Sequence, residues 1–125
     1  MNYQHKFIQI ILILFFTITI DQITKNMAYQ ELFLLNKIIY LNEFLSLRPV
    51  WNSGISFGML QDYGDFGRFT FTIIAVIISI WLIWNSIYLK TISSIGYNLI
   101  AGGALGNAID RIIYVLSKFV KLIDF

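Results

Sequence analysis

Residues 99–111 read Leu-Ile-Ala-Gly-Gly-Ala-Leu-Gly-Asn-Ala-Ile-Asp-Arg, so an amide and a carboxyl group stand at the end of an apolar run. No charged residue occurs from 91 to 109, a length that approaches a bilayer crossing. Ionisable groups within a membrane span are costly and usually serve function. If the run is helical, one stripe of it carries four residues spaced three or four apart: Gly103, Asn107, Asp110 and Tyr114. This stripe predicts one wall of a buried polar site. The plainer alternative is a packing helix whose Asp110 and Arg111 mark the membrane edge.

The same run contains a pair of small residues, Gly102 and Gly106, four positions apart. Such a pair allows a neighbouring helix to approach closely within a membrane. The spacing therefore predicts close helix packing beside the polar stripe.

The composition is that of a membrane protein. Of 125 residues, 58% are hydrophobic and only 13% are charged, too few to cover the surface of a soluble domain of this size. The nine Lys and Arg residues are scattered, so no nucleic-acid partner is expected. With no Cys and a single His, the chain offers neither a thiol nucleophile nor a His/Cys metal site, and we expect no metal and no cofactor. Chemistry must come from carboxylates, amides, hydroxyls or amines.

Three apolar stretches predict an all-α polytopic membrane protein that forms one domain. The more polar segment of about 28–68 contains the β-favouring run 37–41 and the turn signal Asn52-Ser-Gly54, so we expect a small extramembrane sheet or a re-entrant loop there. Lys6 and Lys90 would share the cytoplasmic side, leaving 28–68 and the C-terminus outside. The predicted transmembrane helices cover about 7–27, 69–89 and 92–115.

Four sequence elements, taken in order along the chain, resemble the lipoprotein signal peptidase (signal peptidase II) family. They are Asp-Gln-Ile-Thr-Lys at 21–25, Asn-Ser-Gly-Ile-Ser-Phe-Gly at 52–58, Gly-Ala-Leu-Gly-Asn-Ala-Ile-Asp-Arg at 103–111 and Ile-Asp-Phe at 123–125. The resemblance implies an intramembrane aspartyl protease of the bacterial inner membrane, with its site near the periplasmic face. Its substrates would be diacylglyceryl-modified prolipoproteins, which meet the enzyme in membrane lipid. The implied fold has four transmembrane helices and a small extramembrane β-cradle.

The resemblance also assigns roles to individual residues. Asp124 matches the first member of the catalytic aspartate dyad. Supporting or substrate-binding roles fall on residues of the other three motifs: Asp21, Lys25, Asn52, Gly54, Asn107, Asp110 and Arg111. We expect Asn107, Asp110 and Arg111 to line the same inward-facing cluster as Asp21.

Two carboxyls suit peptide hydrolysis because one can activate water while the other, protonated, donates to the carbonyl or amine. The family's second aspartate lies in an Asn-x-Ala-Asp motif on its fourth helix, and neither occurs in these 125 residues. We therefore expect a C-terminally truncated member with three of four helices. Asp110 is the alternative partner for Asp124, but only if 112–123 folds back to bring the carboxyls within about 3 Å. That segment has no Gly or Pro to make such a reversal.

Two other functions stay open at this stage. One is a non-catalytic membrane remnant, or a pseudoenzyme of the same family that binds substrate without cutting it. The other is a small dimeric transporter that uses Asp21 or Asp110 as a proton-linked carboxylate. Against the transporter, the outer segment of some forty residues is larger than a minimal helical carrier requires.

Overall fold

Three long helices dominate the structure, a computed structural model that describes residues 3–49 and 64–123. Each helix is long and apolar enough to cross a membrane. This confirms the predicted class, a multi-pass helical membrane protein. The helices are α1 (Tyr3–Ala28), α2 (Gly64–Ser86) and α3 (Thr91–Ile123).

A short turn joins α2 to α3 and defines one end of the bundle, here named the turn end. The amides of Ile87 and Tyr88 donate to carbonyls in the last turn of α2. Lys6, near the start of α1, is buried and its Nζ donates to the Leu89 carbonyl at 2.6 Å. The ammonium thus provides a hydrogen-bond donor for a carbonyl of the turn between α2 and α3. The start of α1 and the residues before Lys90 consequently lie at the same end, on the side predicted to be cytoplasmic.

Helix α3 is the central element, because both α1 and α2 pack against it. Its contact with α1 depends on Gly102 and Gly106. A Cβ atom at Gly102 would lie 2.8 Å from two atoms of Thr17, and one at Gly106 would overlap the carboxylate of Asp21. The predicted close approach at this glycine pair is confirmed. Glycine provides space here, since a methyl group at either position would meet the side chain of Thr17 or Asp21 on α1.

A buried polar ladder holds α2 against α3. The Ser79 hydroxyl contacts the carbonyls of Ala75 and Ala101, the latter across the helix interface at 3.3 Å. Nearer the turn, Ser86 contacts Asn98 Oδ1 at 3.4 Å, and Asn98 Nδ2 donates to the Ser94 carbonyl at 2.7 Å. These small polar side chains satisfy one another where lipid would offer no partner.

The segment between α1 and α2 lies at the opposite end of the bundle, here named the hairpin end. A single π-helical turn (Tyr29–Phe33) extends α1, and Asn36 at φ 45° stops it, a conformation that Asn tolerates. A two-stranded antiparallel hairpin follows, β1 (Ile39–Tyr40) and β2 (Ser46–Leu47), with Ile39 opposite Leu47. This is the small extramembrane sheet that the sequence predicted.

The chain re-enters helix earlier than the predicted start of the second span. Residues 64–68, assigned to the extramembrane segment, form the first turn of α2. Asp65 lies in that first turn, where a negative charge interacts favourably with the helix dipole. The helix also ends at Ser86 rather than Leu89, because the last residues turn towards α3.

The polar ladder generates the first prediction. Replacing Asn98 with Ala removes its contacts with both Ser86 and Ser94 and leaves a void in a fully buried position. We expect a loss of about 1 kcal/mol in the free energy of unfolding, measured by SDS titration in detergent micelles. Asn85→Ala is the matched control, because that amide bonds only a carbonyl of its own helix. Equal losses in the two variants would contradict a role for the ladder in joining the helices.

Candidate functional site

Five polar side chains meet between α1 and α3 at the hairpin end of the bundle. We name them the α1–α3 cluster: Asp21, Gln22 and Lys25 from α1, with Asn107 and Asp110 from α3. Residues 21 and 25 are one turn apart on α1, and residues 107 and 110 are one turn apart on α3, so each pair shares a helix face. Gly106 brings the two faces into contact because it leaves room for the Asp21 carboxylate.

Lys25 is the centre of the cluster. Its Nζ lies 2.6 Å from Asp21 Oδ2, 2.5 Å from Asp110 Oδ2 and 3.0 Å from Asn107 Oδ1. An ammonium group has three donors, so these three acceptors use all of them. One cation therefore compensates two carboxylates that come from different helices.

Gln22 completes the cluster, although the sequence analysis did not select it. Its Nε2 donates to Asp110 Oδ1 at 2.9 Å and lies 3.3 Å from Asp21 Oδ2 and 3.4 Å from the Gly106 carbonyl. The available signal was its position three residues before Lys25, which places both side chains on one face of α1. Gln22 thus contacts the same two carboxylates with which Lys25 forms ion pairs.

The cluster is only partly covered. The exposed fractions of the side chains are 25% for Asp21, 37% for Lys25 and 40% for Asp110. A peptide or lipid group arriving at the hairpin end could therefore reach these polar atoms. The arrangement can orient such a ligand and accept hydrogen bonds from it.

Arg111 does not join the cluster, so the prediction that it lines the same site as Asp21 is wrong. Successive residues of an α-helix are rotated by about 100°, and Arg111 is turned towards α2 while Asp110 faces α1. Arg111 borders a cavity of about 460 Å³ between α2 and α3. Tyr114, also predicted on the polar stripe, lies under the guanidinium of Arg68, 4.1 Å from the ring centroid.

Three predicted residues, Asn52, Gly54 and Asp124, lie outside the described part of the chain, and their roles stay predictions. The structure does constrain a pairing of Asp110 with Asp124. Helix α3 continues without interruption to Ile123, so residues 112–123 make no reversal. Thirteen residues of helix separate Asp110 from Ile123 by about 20 Å along the axis. The fold-back of residues 112–123 that a pairing of Asp110 with Asp124 was predicted to require is therefore not observed.

Within residues 3–49 and 64–123, no group of three His, Cys, Asp or Glu side chains stands close enough together to hold a metal ion. Some of the described charged groups at the hairpin end instead form ion pairs with one another. Besides Lys25, Arg68 pairs with Asp65 at 3.7 Å in the first turn of α2.

Fold and site together define a class, a polytopic helical membrane protein with an ion-paired polar cluster shared by its first and third spans. Comparison with known proteins specifies it further. The chain matches the sequence model of the family Signal peptidase (SPase) II over residues 13–125. The chain belongs to the signal peptidase II family.

Individual relatives agree with this assignment. A lipoprotein signal peptidase of Bartonella quintana (strain Toulouse) is 41% identical over 113 residues, covering 89% of this chain and 67% of that protein. One from Caldanaerobacter subterraneus subsp. tengcongensis is 38% identical over 117 residues, covering 92% and 77%. One from Rickettsia typhi is 36% identical over 100 residues, covering 75% and 49%. The chain thus spans between about half and three quarters of the length of these curated relatives. No solved structure is significantly similar to it.

The glycine contact yields a prediction with an internal control. Gly106→Ala would force a methyl group against the Asp21 carboxylate and push α1 away from α3. We expect a loss of about 1–3 kcal/mol in unfolding free energy, typical of overpacking. Gly103→Ala is the control, because a Cβ there meets nothing within 4 Å. It should be neutral or stabilising by up to about 1 kcal/mol through helix propensity. Thermal unfolding of both variants in micelles measures the difference; similar Tm values would contradict the packing.

A third prediction concerns the charge balance of the cluster. Lys25→Gln leaves Asp21 and Asp110 facing each other without a cation. Since these groups are partly exposed, we expect a loss of about 1–3 kcal/mol, between the values for surface and buried pairs. Adding Asp110→Asn to Lys25→Gln should recover part of that loss, because one of the opposing charges is removed. Lys37→Gln, at an exposed position outside the spans, serves as the control.

The measurement is again unfolding by SDS in micelles, carried out on the single and double variants. A double variant less stable than Lys25→Gln alone would contradict the idea that like-charge repulsion causes the loss.

Proposed function

We propose that the protein is an intramembrane aspartyl endopeptidase that removes signal peptides from diacylglyceryl-modified prolipoproteins. The observation that carries the proposal is the α1–α3 cluster, in which Lys25 joins a carboxylate of the first span to one of the third in a chain of the signal peptidase II family. The proposed location is the bacterial inner membrane, with the hairpin end on the periplasmic side. Lipid-modified prolipoproteins and membrane lipid are the proposed partners.

Within this proposal, the cluster positions the site and does not perform the cleavage. Two carboxyls that act as acid and base share a proton because both cannot ionise at close range. Asp21 and Asp110 instead each form an ion pair with the same ammonium group, that of Lys25. The geometry thus favours a supporting role for Asp110 over a role in the catalytic pair. Asn107 and Gln22 add hydrogen bonds that hold the Lys25 and Asp110 side chains.

Asp124 is the proposed first catalytic carboxyl, on the motif Ile-Asp-Phe at 123–125. Asn52 and Gly54 are proposed to support the substrate from the extramembrane segment. Asp124 requires a second carboxyl, and the uninterrupted helix to Ile123 argues against Asp110 as that partner. We therefore expect a polypeptide of these 125 residues to leave prolipoprotein uncut when tested by itself.

The second candidate function is a family member that binds substrate without cutting it. The observation that favours it is the engagement of both Asp21 and Asp110 by Lys25, which leaves neither carboxylate free for acid–base work. Both candidates share the same fold and cluster. They differ in whether these residues support cleavage once a complete catalytic pair is present.

A chimera separates the two candidates. The segment of the Bartonella quintana relative that aligns with this chain, 113 residues at 41% identity, would be replaced by the present sequence. We expect the chimera to convert a diacylglyceryl-modified prolipoprotein in a gel-shift assay, because the present sequence supplies the cluster and Asp124. Asp124→Asn should abolish conversion, and Lys25→Gln should lower it at least tenfold by loosening α1 from α3. Glu43→Gln in the exposed hairpin loop is the matched control and should leave the rate unchanged.

A folded chimera that binds prolipoprotein without converting it, beside an active parent enzyme, would support the non-catalytic candidate. Conversion that survives Asp124→Asn would contradict the proposed catalytic residue. The 125-residue polypeptide, assayed in parallel, should show no conversion; robust cleavage that depends on Asp124 would overturn that expectation.

A further inference from the structure

Arg111 occupies an unusual position for a charged residue. It lies within the third candidate span, which extends from Thr91 to Ser117, and it has no ion-pair or hydrogen-bond partner among the described residues. The neighbouring carboxylate of Asp110 faces α1 and is engaged by Lys25 and Gln22. A guanidinium at membrane depth is costly unless an anion or water compensates it. Arg111 therefore calls for an anionic partner from outside the described residues.

The surface beside Arg111 restricts what that partner can be. The groove between α2 and α3 has a volume of about 460 Å³, and its walls are almost wholly aliphatic and aromatic. The hydroxyl of Thr72, which also borders it, is already used on the Arg68 carbonyl at 2.8 Å. The groove, named here the Arg111 groove, is bordered chiefly by Phe69, Ile73, Ile77, Ile112, Val115 and Leu116. It thus combines a guanidinium that has no partner among residues 3–49 and 64–123 with an apolar trough.

We propose that the Arg111 groove binds an anionic phospholipid, with the phosphate on Arg111 and an acyl chain along α2 and α3. Phosphate matches the planar donor fork of a guanidinium and accepts two parallel hydrogen bonds. The apolar walls exclude a soluble anion as the whole ligand but suit an acyl chain. The diacylglyceryl group of a modified cysteine would fill the trough yet bring no negative charge to Arg111. Charge complementarity consequently favours a phospholipid, and this site does not depend on the proposed peptidase activity.

Lipid binding to the purified full chain in detergent tests the proposal by native mass spectrometry. The probes are dioleoyl-phosphatidylglycerol, dioleoyl-phosphatidylcholine and dioleoylglycerol, which share acyl chains and differ in headgroup charge. We expect one phosphatidylglycerol to bind with a Kd at least tenfold below that of phosphatidylcholine, with dioleoylglycerol the weakest. Arg111→Gln should remove the preference for phosphatidylglycerol, and Arg111→Lys should retain part of it because the charge is kept.

Two further variants keep the test decisive. Val115→Trp should fill the trough and weaken all three lipids while leaving Arg111 in place. Arg68→Gln is the matched control, since that guanidinium already has Asp65 and Tyr114 as partners, and it should keep the preference. Circular dichroism in the same detergent verifies that each variant is folded.

Several outcomes would overturn the proposal. Equal binding of phosphatidylglycerol and dioleoylglycerol would show that Arg111 contributes no recognition. If the folded Arg111→Gln variant still prefers phosphatidylglycerol, the phosphate binds at another residue. The same conclusion follows if only the Arg68→Gln variant loses that preference. Displacement of the lipid by inorganic phosphate would show that the trough is not part of the site. A dimer mass without bound lipid would indicate that a second copy of the chain covers the groove.

Discussion

One ammonium group between two carboxylates is the constraint on which this architecture depends. Lys25 meets Asp21 on its own helix and Asp110 on α3, so it joins elements that are 85 residues apart in the chain. Each of these charges alone would be costly at the edge of a bilayer, and each becomes acceptable only when all three are together. The cluster therefore fixes both the register and the rotation of α1 against α3. Ion pairing between the helices requires that α1 and α3 approach closely. The glycine pair on α3 meets this requirement, because it leaves room for the side chains of Thr17 and Asp21.

Helix α3 packs against α1 with one face and against α2 with another. Towards α1 it presents glycines and the polar groups of Asn107 and Asp110, and towards α2 it presents the buried Asn98 and the Ala101 carbonyl. Because an α-helix rotates by about 100° per residue, adjacent positions such as Asp110 and Arg111 belong to different interfaces. A short polar motif in a membrane helix is thus divided between two environments. In this chain one part of the motif is ion-paired, and the other borders an apolar groove.

Much of the architecture could be predicted because membranes restrict the possible structures. Backbone groups inside a bilayer must be satisfied within the chain, so long apolar runs have to be helices. That argument placed three spans, and the helix repeat placed Asn107 and Asp110 on one stripe. Asp21 and Lys25 are four residues apart, a spacing that allows the ion pair that they form within α1. The motifs also identified the signal peptidase II family, as the comparison with known proteins confirmed.

Other features were outside the reach of sequence reasoning. The side of α3 that meets each neighbour depends on the crossing of three helices, so Arg111 was placed with Asp21 when it faces α2 instead. Gln22 was overlooked because its spacing from Lys25 is a weak signal, and its two carboxylate partners come together only when α1 packs against α3. The sequence by itself determined the membrane class and the helices, since these follow from local periodicity and the cost of exposed backbone in lipid. Only the tertiary structure decided which charges meet between helices and which groove receives Arg111, because those contacts depend on rotations that no local pattern encodes.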